Sequence, residues 1–398
     1  MELRLLEIMR RLASKGTAPE TGCSRLGVGN EEAISRLERE YIFAHFDAGM
    51  SAEKYVIGPN GSGKTHFLRE LMEVARDRDC VTAEVQLGKQ LDFTKPLIVY
   101  KELAREVKAP DSQGTGIHEL IIVTIERHRE AGSLPDWLSL LERPQLKLRE
   151  FGLAARAAAK AYLDGDMMRF EDACRWLAGE VSDKDAAKAA GVAKVATAEH
   201  DITGARLRLS LAQFIRLSGF RGSVFCFDEG DEGFNVDRKK LNKILSLIRS
   251  QLDAVADLKG GSALFVYALT KPIVEAMENY PALLDRVRDP GPGQSFFEGN
   301  TLAPKIDLTF RPNPEEDLRR IGMRWVDLVY DEFPDQARVD REVALESVRR
   351  IAQEVNQEDS TASARRLMVK RTCTYLLGAL GVAVSQPAGM QADEEKEV

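Results

Sequence analysis

The 398-residue sequence predicts an α/β fold, in which a parallel sheet lies between layers of helices. Three observations support this class. Short apolar runs recur along the chain, segments with helical spacing separate them, and a glycine-rich loop joins the first run to a helix. Strands that alternate with helices form parallel sheets, because the chain must cross back over the sheet before it adds the next strand.

Five apolar runs are the expected strands. They are rich in β-branched and aromatic residues, which favour strands. A long stretch with helical spacing separates the second run from the third. The expected strands are Lys54–Ile57, Val81–Val85, Ser223–Phe227, Ala263–Leu269 and Ile306–Phe310.

These elements divide the chain into consecutive parts. A helical segment over 1–50 precedes a three-layer core over 51–310, and a large helical insertion over about 100–210 interrupts that core. A C-terminal helical lid over 311–385 and a charged, disordered tail over 386–398 follow. The insertion is far longer than a crossover connection requires, so it predicts an added helical subdomain or an elaborated lid.

The composition excludes several classes of protein. Apolar residues make up 44% of the chain and charged residues 30%, as in soluble globular proteins. No apolar run is long enough to span a membrane, and the first residues do not resemble a signal peptide. The five dispersed cysteines indicate reduced thiols in the cytoplasm. A net charge of −7 argues against a general nucleic-acid coat protein, although it leaves room for a local basic patch.

The most specific motif is an eight-residue loop, GPNGSGKT, between the first strand and the next helix. It matches G-x-x-x-x-G-K-[ST] in full, the pattern of the phosphate-binding P-loop. Its glycines let backbone N–H groups surround phosphates, its lysine faces the β- and γ-phosphates, and its threonine offers a hydroxyl to Mg²⁺. The strand–loop–helix context argues against a chance glycine-rich turn. The expected ATP-binding residues are Gly58, Pro59, Asn60, Gly61, Ser62, Gly63, Lys64 and Thr65.

A second motif lies where the third strand ends. Residues 224–229 read VFCFDE, an apolar run followed by two carboxylates. We expect Asp228 to hold Mg²⁺ together with Thr65, and Glu229 to orient or deprotonate the attacking water. The alternative is a strand that ends in a solvated acidic turn over 228–232. The P-loop upstream favours the metal-binding interpretation.

Further polar residues follow in an order that fits the same site. Thr270 ends the fourth strand and could position the lytic water, unless it is an ordinary strand-end threonine. Arg286 or Arg288 could stabilise charge on the γ-phosphate of a neighbouring subunit. Arg365 or Arg366 could couple the lid to the nucleotide state. For each arginine the alternative is a solvated or salt-bridged side chain.

This ordered set resembles the AAA+ ATPases, especially the Orc/Cdc6-like branch. The stretches LLDRVRDP, RPNPEEDL and SARRL stand where that family has its arginine finger, its last strand and its lid. The resemblance implies that Thr270 is sensor 1, that Arg286 or Arg288 is the arginine finger, and that Arg365 or Arg366 is sensor 2. It also implies a homo-oligomer that uses ATP and Mg²⁺. No winged-helix domain is evident after the lid, so autonomous sequence-specific DNA binding is not expected.

A second resemblance covers most of the chain. The motif AYLDGD at Ala161–Asp166, the helix around Trp176 and the stretch SGFRGSVFCFDEGDE resemble the ATP-binding proteins of BREX bacterial phage-defence systems, of the BrxD-like type. This resemblance implies other defence-system proteins as partners. It also implies action on or near DNA, either directly or through those partners.

Two weaker candidates complete the survey. The basic stretch Arg143–Lys160 could contact nucleic-acid phosphates, but it lacks interleaved aromatic residues, and such a stretch is more often a solvated helix face. His66 directly follows Thr65, and a structural role is favoured over a catalytic one.

Two functional hypotheses remain, from different classes. The first is an ATP-hydrolysing AAA+-type protein of a defence complex, which the presence of both Asp228 and Glu229 favours. The second is a nucleotide-gated scaffold or sensor with little turnover that recruits partner proteins. A nucleotide kinase ranks last, because neither an acceptor pocket nor a cluster of lid arginines is evident.

Overall fold

The computed structural model describes residues 2–88, 91–110, 112–229, 236–288, 295–309, 313–359 and 363–382. The chain divides into two compact units. The sheet unit comprises Glu32–Ile57 and Glu70–Asp307, and the helical unit comprises Met1–Glu31, Gly58–Arg69 and Leu308–Val398. Several predicted features lie outside the described residues, namely Phe310, the acidic turn beyond Glu229, the last residues of LLDRVRDP, the first residues of RPNPEEDL and the tail over 386–398.

The sheet unit contains a five-stranded sheet within the described residues. Its strands are β1 (Ala52–Ile57), β2 (Cys80–Gln86), β3 (Gly222–Asp228), β4 (Ala263–Leu269) and β5 (Lys305–Asp307). The strand order is β2-β3-β4-β1-β5, and every pairing is parallel. The predicted α/β class is therefore confirmed, and the fold is that of an α/β P-loop NTPase-like protein.

The central strands are buried along their whole length. All seven residues of β3 and all seven of β4 are buried, which is expected of parallel strands covered on both faces. Aromatic rings on adjacent strands stack, with the centroids of Phe227 and Tyr267 4.5 Å apart. Because both faces of these strands are buried, their residues are apolar without alternation. This pattern made the runs recognisable as strands in the sequence.

Two strand boundaries differ from the predicted ones by more than one residue. The first strand begins at Ala52 rather than Lys54, because Ala52 and Glu53 pair with β4 although Glu53 interrupts the apolar pattern. The fifth strand ends at Asp307. Its last residue pairs with Ile57, the last residue of β1, so no neighbouring strand remains for residues beyond it.

Helices fill the chain between the strands of the sheet unit. The helix Arg149–Leu163 buries a row of alanines, and these short side chains allow close approach of the helix Met167–Leu177. Asp166 and Asp183 cap the next two helices by accepting hydrogen bonds from backbone N–H groups. The helices from β2 onward are Pro96–Glu106, Ile117–Glu130, Leu134–Leu140, Arg149–Leu163, Met167–Leu177, Lys184–Ala190, His200–Leu217, Arg238–Ala256, Lys271–Glu278 and Pro281–Val287.

The helical unit has its own apolar core, formed by Met9, Val326, Val348, Met368 and Leu376 with their neighbours. Its helices are Glu2–Lys15, Cys23–Leu26, Pro314–Glu332, Arg341–Glu358 and Ala364–Ala379. Two helices belong partly to each unit, Glu31–Leu37, which continues as a π-helix over Glu38–His45, and Lys64–Asp77. Among the described residues, no helix is both long enough and apolar enough to cross a lipid bilayer.

A buried polar network lies beside the sheet. Tyr55 Oη donates a hydrogen bond to Glu53 Oε1 at 2.5 Å, and Gln251 Nε2 donates to Glu53 Oε2 at 2.9 Å and to Tyr267 Oη at 2.6 Å. Burial raises the pKa of Glu53 to about 7, against the lowering effect of the Tyr55 hydrogen bond, the Arg208 charge and the Gln251 hydrogen bond. Glu53 therefore titrates near neutral pH in the folded protein.

The raised pKa predicts how Glu53 contributes to stability. The pKa of the carboxyl is about 4.5, its ordinary value, in the unfolded chain and about 7 in the folded one, so stability is lost as pH rises through this window. We expect Glu53→Gln to gain stability relative to the wild type, on the order of 3 kcal/mol between pH 4.5 and pH 8. Urea unfolding across this pH range measures the difference. A difference that does not change with pH would contradict the assignment.

Candidate nucleotide-binding site

The GPNGSGKT loop follows β1 directly and has a backbone that its glycines make possible. Gly61 has φ of +86° and Gly63 has φ of +95°, both in the left-handed region. A Cβ atom on Gly58 would lie 2.3 Å from Ser62 Oγ. Side chains at these three positions would therefore strain or block the loop.

The lysine and serine of the loop provide groups that suit an anion. Lys64, which begins the helix, is 8% exposed, and its Nζ donates to the carbonyl oxygens of Gly58 at 2.7 Å and Pro59 at 3.2 Å. Ser62 Oγ is buried and makes no hydrogen bond to another described residue. An ammonium group, an unsatisfied hydroxyl and a helix N-terminus lie within one turn of chain, and together they fit a phosphate chain.

The last described helix, Ala364–Ala379, begins against this loop within the helical unit. The Ser363 Cα lies 3.1 Å from the position that a Cβ on Gly61 would take. Arg365 Nη1 lies 3.9 Å from the corresponding position on Gly63. Its Nη2 donates to the carbonyl oxygen of Val28 at 2.9 Å and lies 3.4 Å from Asp317 Oδ2.

Arg366 extends in a different direction from Arg365. Its Nη2 donates to the carbonyl oxygen of Lys15 at 2.7 Å, and its side chain covers Gly16. The two arginines of SARRL are thus distinguished by their neighbours, since only Arg365 lies beside a glycine of the P-loop. The sequence left both open, because the partners Val28 and Asp317 lie far away along the chain.

The acidic motif ends β3. Asp228 is 2% exposed, and its backbone oxygen accepts a hydrogen bond from the N–H of Leu87 at 2.8 Å. Glu229 is exposed and has φ of +57°, a left-handed conformation that costs a non-glycine residue about 1 kcal/mol or more. Such strain concentrates at functional positions, and here it turns the chain sharply where the strand ends.

The strand order determines where Thr270 lies relative to these motifs. β4 lies between β1 and β3, and Thr270 follows β4 directly at the N-cap of the helix Lys271–Glu278. Because the strands are parallel, β1, β4 and β3 end at the same edge of the sheet. Asp228 and Thr270 therefore follow adjacent strands at this edge, where Ile57 leads into the P-loop.

The two arginines of LLDRVRDP differ in their contacts. Arg286 makes a two-pronged ion pair with Asp253, with its Nε 2.9 Å and its Nη2 2.8 Å from Oδ1. Arg288 is exposed, and its guanidinium forms no hydrogen bond or ion pair with another residue in the described part of the chain. The sequence could not separate them, because Asp253 lies on another helix.

One residue of the basic stretch Arg143–Lys160 forms an ion pair, with the residue that precedes the stretch. Arg156 contacts Glu142 at 2.6 Å. The remaining basic residues are exposed, namely Arg143, Lys147, Arg149 and Lys160. The stretch therefore keeps four exposed positive charges on the surface of the sheet unit.

Comparison with known proteins shows the family of this chain. A comparison with curated proteins gives no match. The profile of one protein family, described as BREX system ATP-binding protein BrxC/D, matches residues 4–131 and 141–380. The match includes the P-loop, the acidic strand end and most helices of both units, and it covers most of the chain. The chain belongs to the family of BREX system ATP-binding proteins BrxC/D.

Proposed function

We propose that this chain is a Mg²⁺-dependent ATPase of a BREX defence complex that binds ATP through Gly58–Thr65 and acts on or near DNA. The observation that carries the proposal is the P-loop itself, with left-handed Gly61 and Gly63 and with Lys64 Nζ bonded to the loop carbonyls. Lys64 exchanges these carbonyls for the β- and γ-phosphates when ATP binds. The positive charge of Lys64 and the N–H groups of the loop then orient the phosphate chain.

Thr65 and Asp228 are the proposed Mg²⁺ ligands. The hydroxyl of Thr65 and the carboxylate of Asp228 are hard oxygen ligands, which Mg²⁺ prefers. When bound, Mg²⁺ neutralises charge that develops on the phosphate oxygens. The near-complete burial of Asp228 supports this role, because a buried carboxylate gains most from a bound cation.

Glu229 is the proposed residue that orients or deprotonates the attacking water, and Thr270 is proposed to help position that water. The exposed carboxylate of Glu229 and its strained backbone support a role in chemistry rather than in stability. The adjacent strands β3 and β4 carry the two residues, which supports their acting together.

The proposal predicts a separation of binding from turnover in Glu229→Gln. The change removes the base and keeps the shape, so we expect MgATP affinity to stay within about threefold and kcat to fall about 10²- to 10⁴-fold. Titration calorimetry and steady-state phosphate release, with and without duplex DNA, measure both quantities. Glu275→Gln, at an exposed glutamate in the sheet unit, is the matched control.

Two outcomes of this experiment contradict parts of the proposal. An unchanged kcat in Glu229→Gln would show that Glu229 does not take part in catalysis. A wild type that binds MgATP but turns over no faster than Glu229→Gln would favour the nucleotide-gated scaffold. An absence of any DNA effect on turnover would count against direct action on DNA, for which the exposed charges of Arg143–Lys160 are the proposed contact.

We also propose that the site is completed by lid and neighbour arginines. The contact of Arg365 with Gly63 supports Arg365, rather than Arg366, as the residue that couples the lid to the nucleotide. Unchanged turnover in Arg365→Ala would contradict this role.

Arg288, rather than Arg286, is the proposed finger that acts on the ATP of a neighbouring copy, because Arg286 is held by Asp253.

A finger supplied by a neighbour predicts complementation between two inactive variants. Arg288→Ala and Glu229→Gln should each lose turnover alone. An equal mixture should recover about a quarter of wild-type activity, because random assembly leaves that share of interfaces with both groups intact. Arg286→Ala, which loses only an exposed ion pair, should remain active. No recovery on mixing, or an active Arg288→Ala protein, would contradict a role in trans.

A further inference from the structure

A small cavity lies within the sheet unit, away from the edge where the strands end. Its volume is about 80 Å³, which is room for roughly five water-sized spheres. Most of its wall is aliphatic, from Val99, Leu209, Leu247 and Ala254. Three polar side chains, Arg208, Ser250 and Gln251, also line it. The cavity is thus apolar with one charged group.

Arg208 is an unusual residue to find in such a wall. It is 9% exposed, and its Nε makes no hydrogen bond to another described residue. No carboxylate in the described part of the chain lies within 4.0 Å of its guanidinium, whose flat face lies 5.8 Å from the Phe265 ring centroid. A buried charge without an ion partner is unfavourable. An anion in the cavity would relieve this cost.

The neighbouring carboxylate of Glu53 is not a permanent anionic partner for Arg208. Its two oxygens accept hydrogen bonds from Tyr55 and Gln251, and it contributes charge to Arg208 only when it is ionised. Burial raises the pKa of Glu53 to about 7. Near neutral pH a large share of molecules therefore has a neutral Glu53 and an uncompensated Arg208.

We propose that this cavity binds a small aliphatic carboxylate, with its carboxylate on Arg208 and its short chain against Val99, Leu209 and Leu247. A guanidinium and a carboxylate match in charge and in planar geometry. The aliphatic wall favours a hydrocarbon chain over an inorganic oxyanion. The volume admits two to four carbon atoms, roughly, and excludes a nucleotide.

Binding of an anion at Arg208 should also favour the protonated form of Glu53. The groups that face Glu53 are Tyr55 on its own strand, Tyr267 on β4, Gln251 on the helix Arg238–Ala256 and Arg208 on the helix His200–Leu217. An anion on Arg208 offsets the positive charge that favours ionised Glu53. The carboxylate should therefore bind together with proton uptake near pH 7.

The test uses sodium propionate as the probe and the full chain. At constant ionic strength, we expect propionate to raise the Tm saturably, with chloride and phosphate ineffective. Calorimetric affinity should fall about tenfold or more in Arg208→Met, and it should be unchanged in Arg206→Met, an exposed arginine on the same helix. Ala254→Leu, which fills the cavity and keeps Arg208, should also abolish binding.

Proton linkage gives a second readout. Titrations at pH 7 in two buffers of different ionisation enthalpy should show proton uptake in the wild type and none in Glu53→Gln. Equal propionate affinity in the wild type, Arg208→Met and Ala254→Leu would overturn the proposal, and so would equal stabilisation by phosphate or chloride. Because binding is measured directly, these outcomes do not depend on whether the chain hydrolyses ATP.

Discussion

The parallel direction of β1, β4 and β3 is the constraint on which the candidate site depends. Parallel strands end at a common edge, so Ile57, Asp228 and Thr270 are brought to that edge by backbone pairing alone. The full burial of β3 and β4 makes the register of these strands costly to change, because a slip would expose apolar side chains. The sheet therefore fixes these positions before any ligand is bound.

Left-handed backbone conformations occur in the P-loop and directly after β3, and both fit the proposed chemistry. Gly61 and Gly63 adopt left-handed conformations that only glycine reaches without strain, and they turn the loop around an anion. Glu229 adopts a similar conformation without being glycine. The stable, buried strands before these residues can hold such strain.

Features that depend on neighbouring residues in the chain could be predicted from the sequence. Features that depend on residues far apart in the chain could not. The P-loop and the buried strands are local patterns, so the α/β class and the positions of all five strands followed from them. The burial of Glu53 hid the start of β1, because an ionisable residue interrupts an apolar run. The choices between Arg286 and Arg288, and between Arg365 and Arg366, depend on Asp253, Val28 and Lys15, which no local pattern links to them.

The central claim is that ATP binds through the P-loop, and Lys64 tests it most directly. Titration of MgATP into Lys64→Ala should show no measurable binding, with the helix content of the protein unchanged by circular dichroism. Lys239→Ala, at an exposed lysine of the sheet unit, should bind as the wild type does. Wild-type affinity in Lys64→Ala would contradict the account, because the nucleotide would then be held by residues other than the loop Gly58–Thr65.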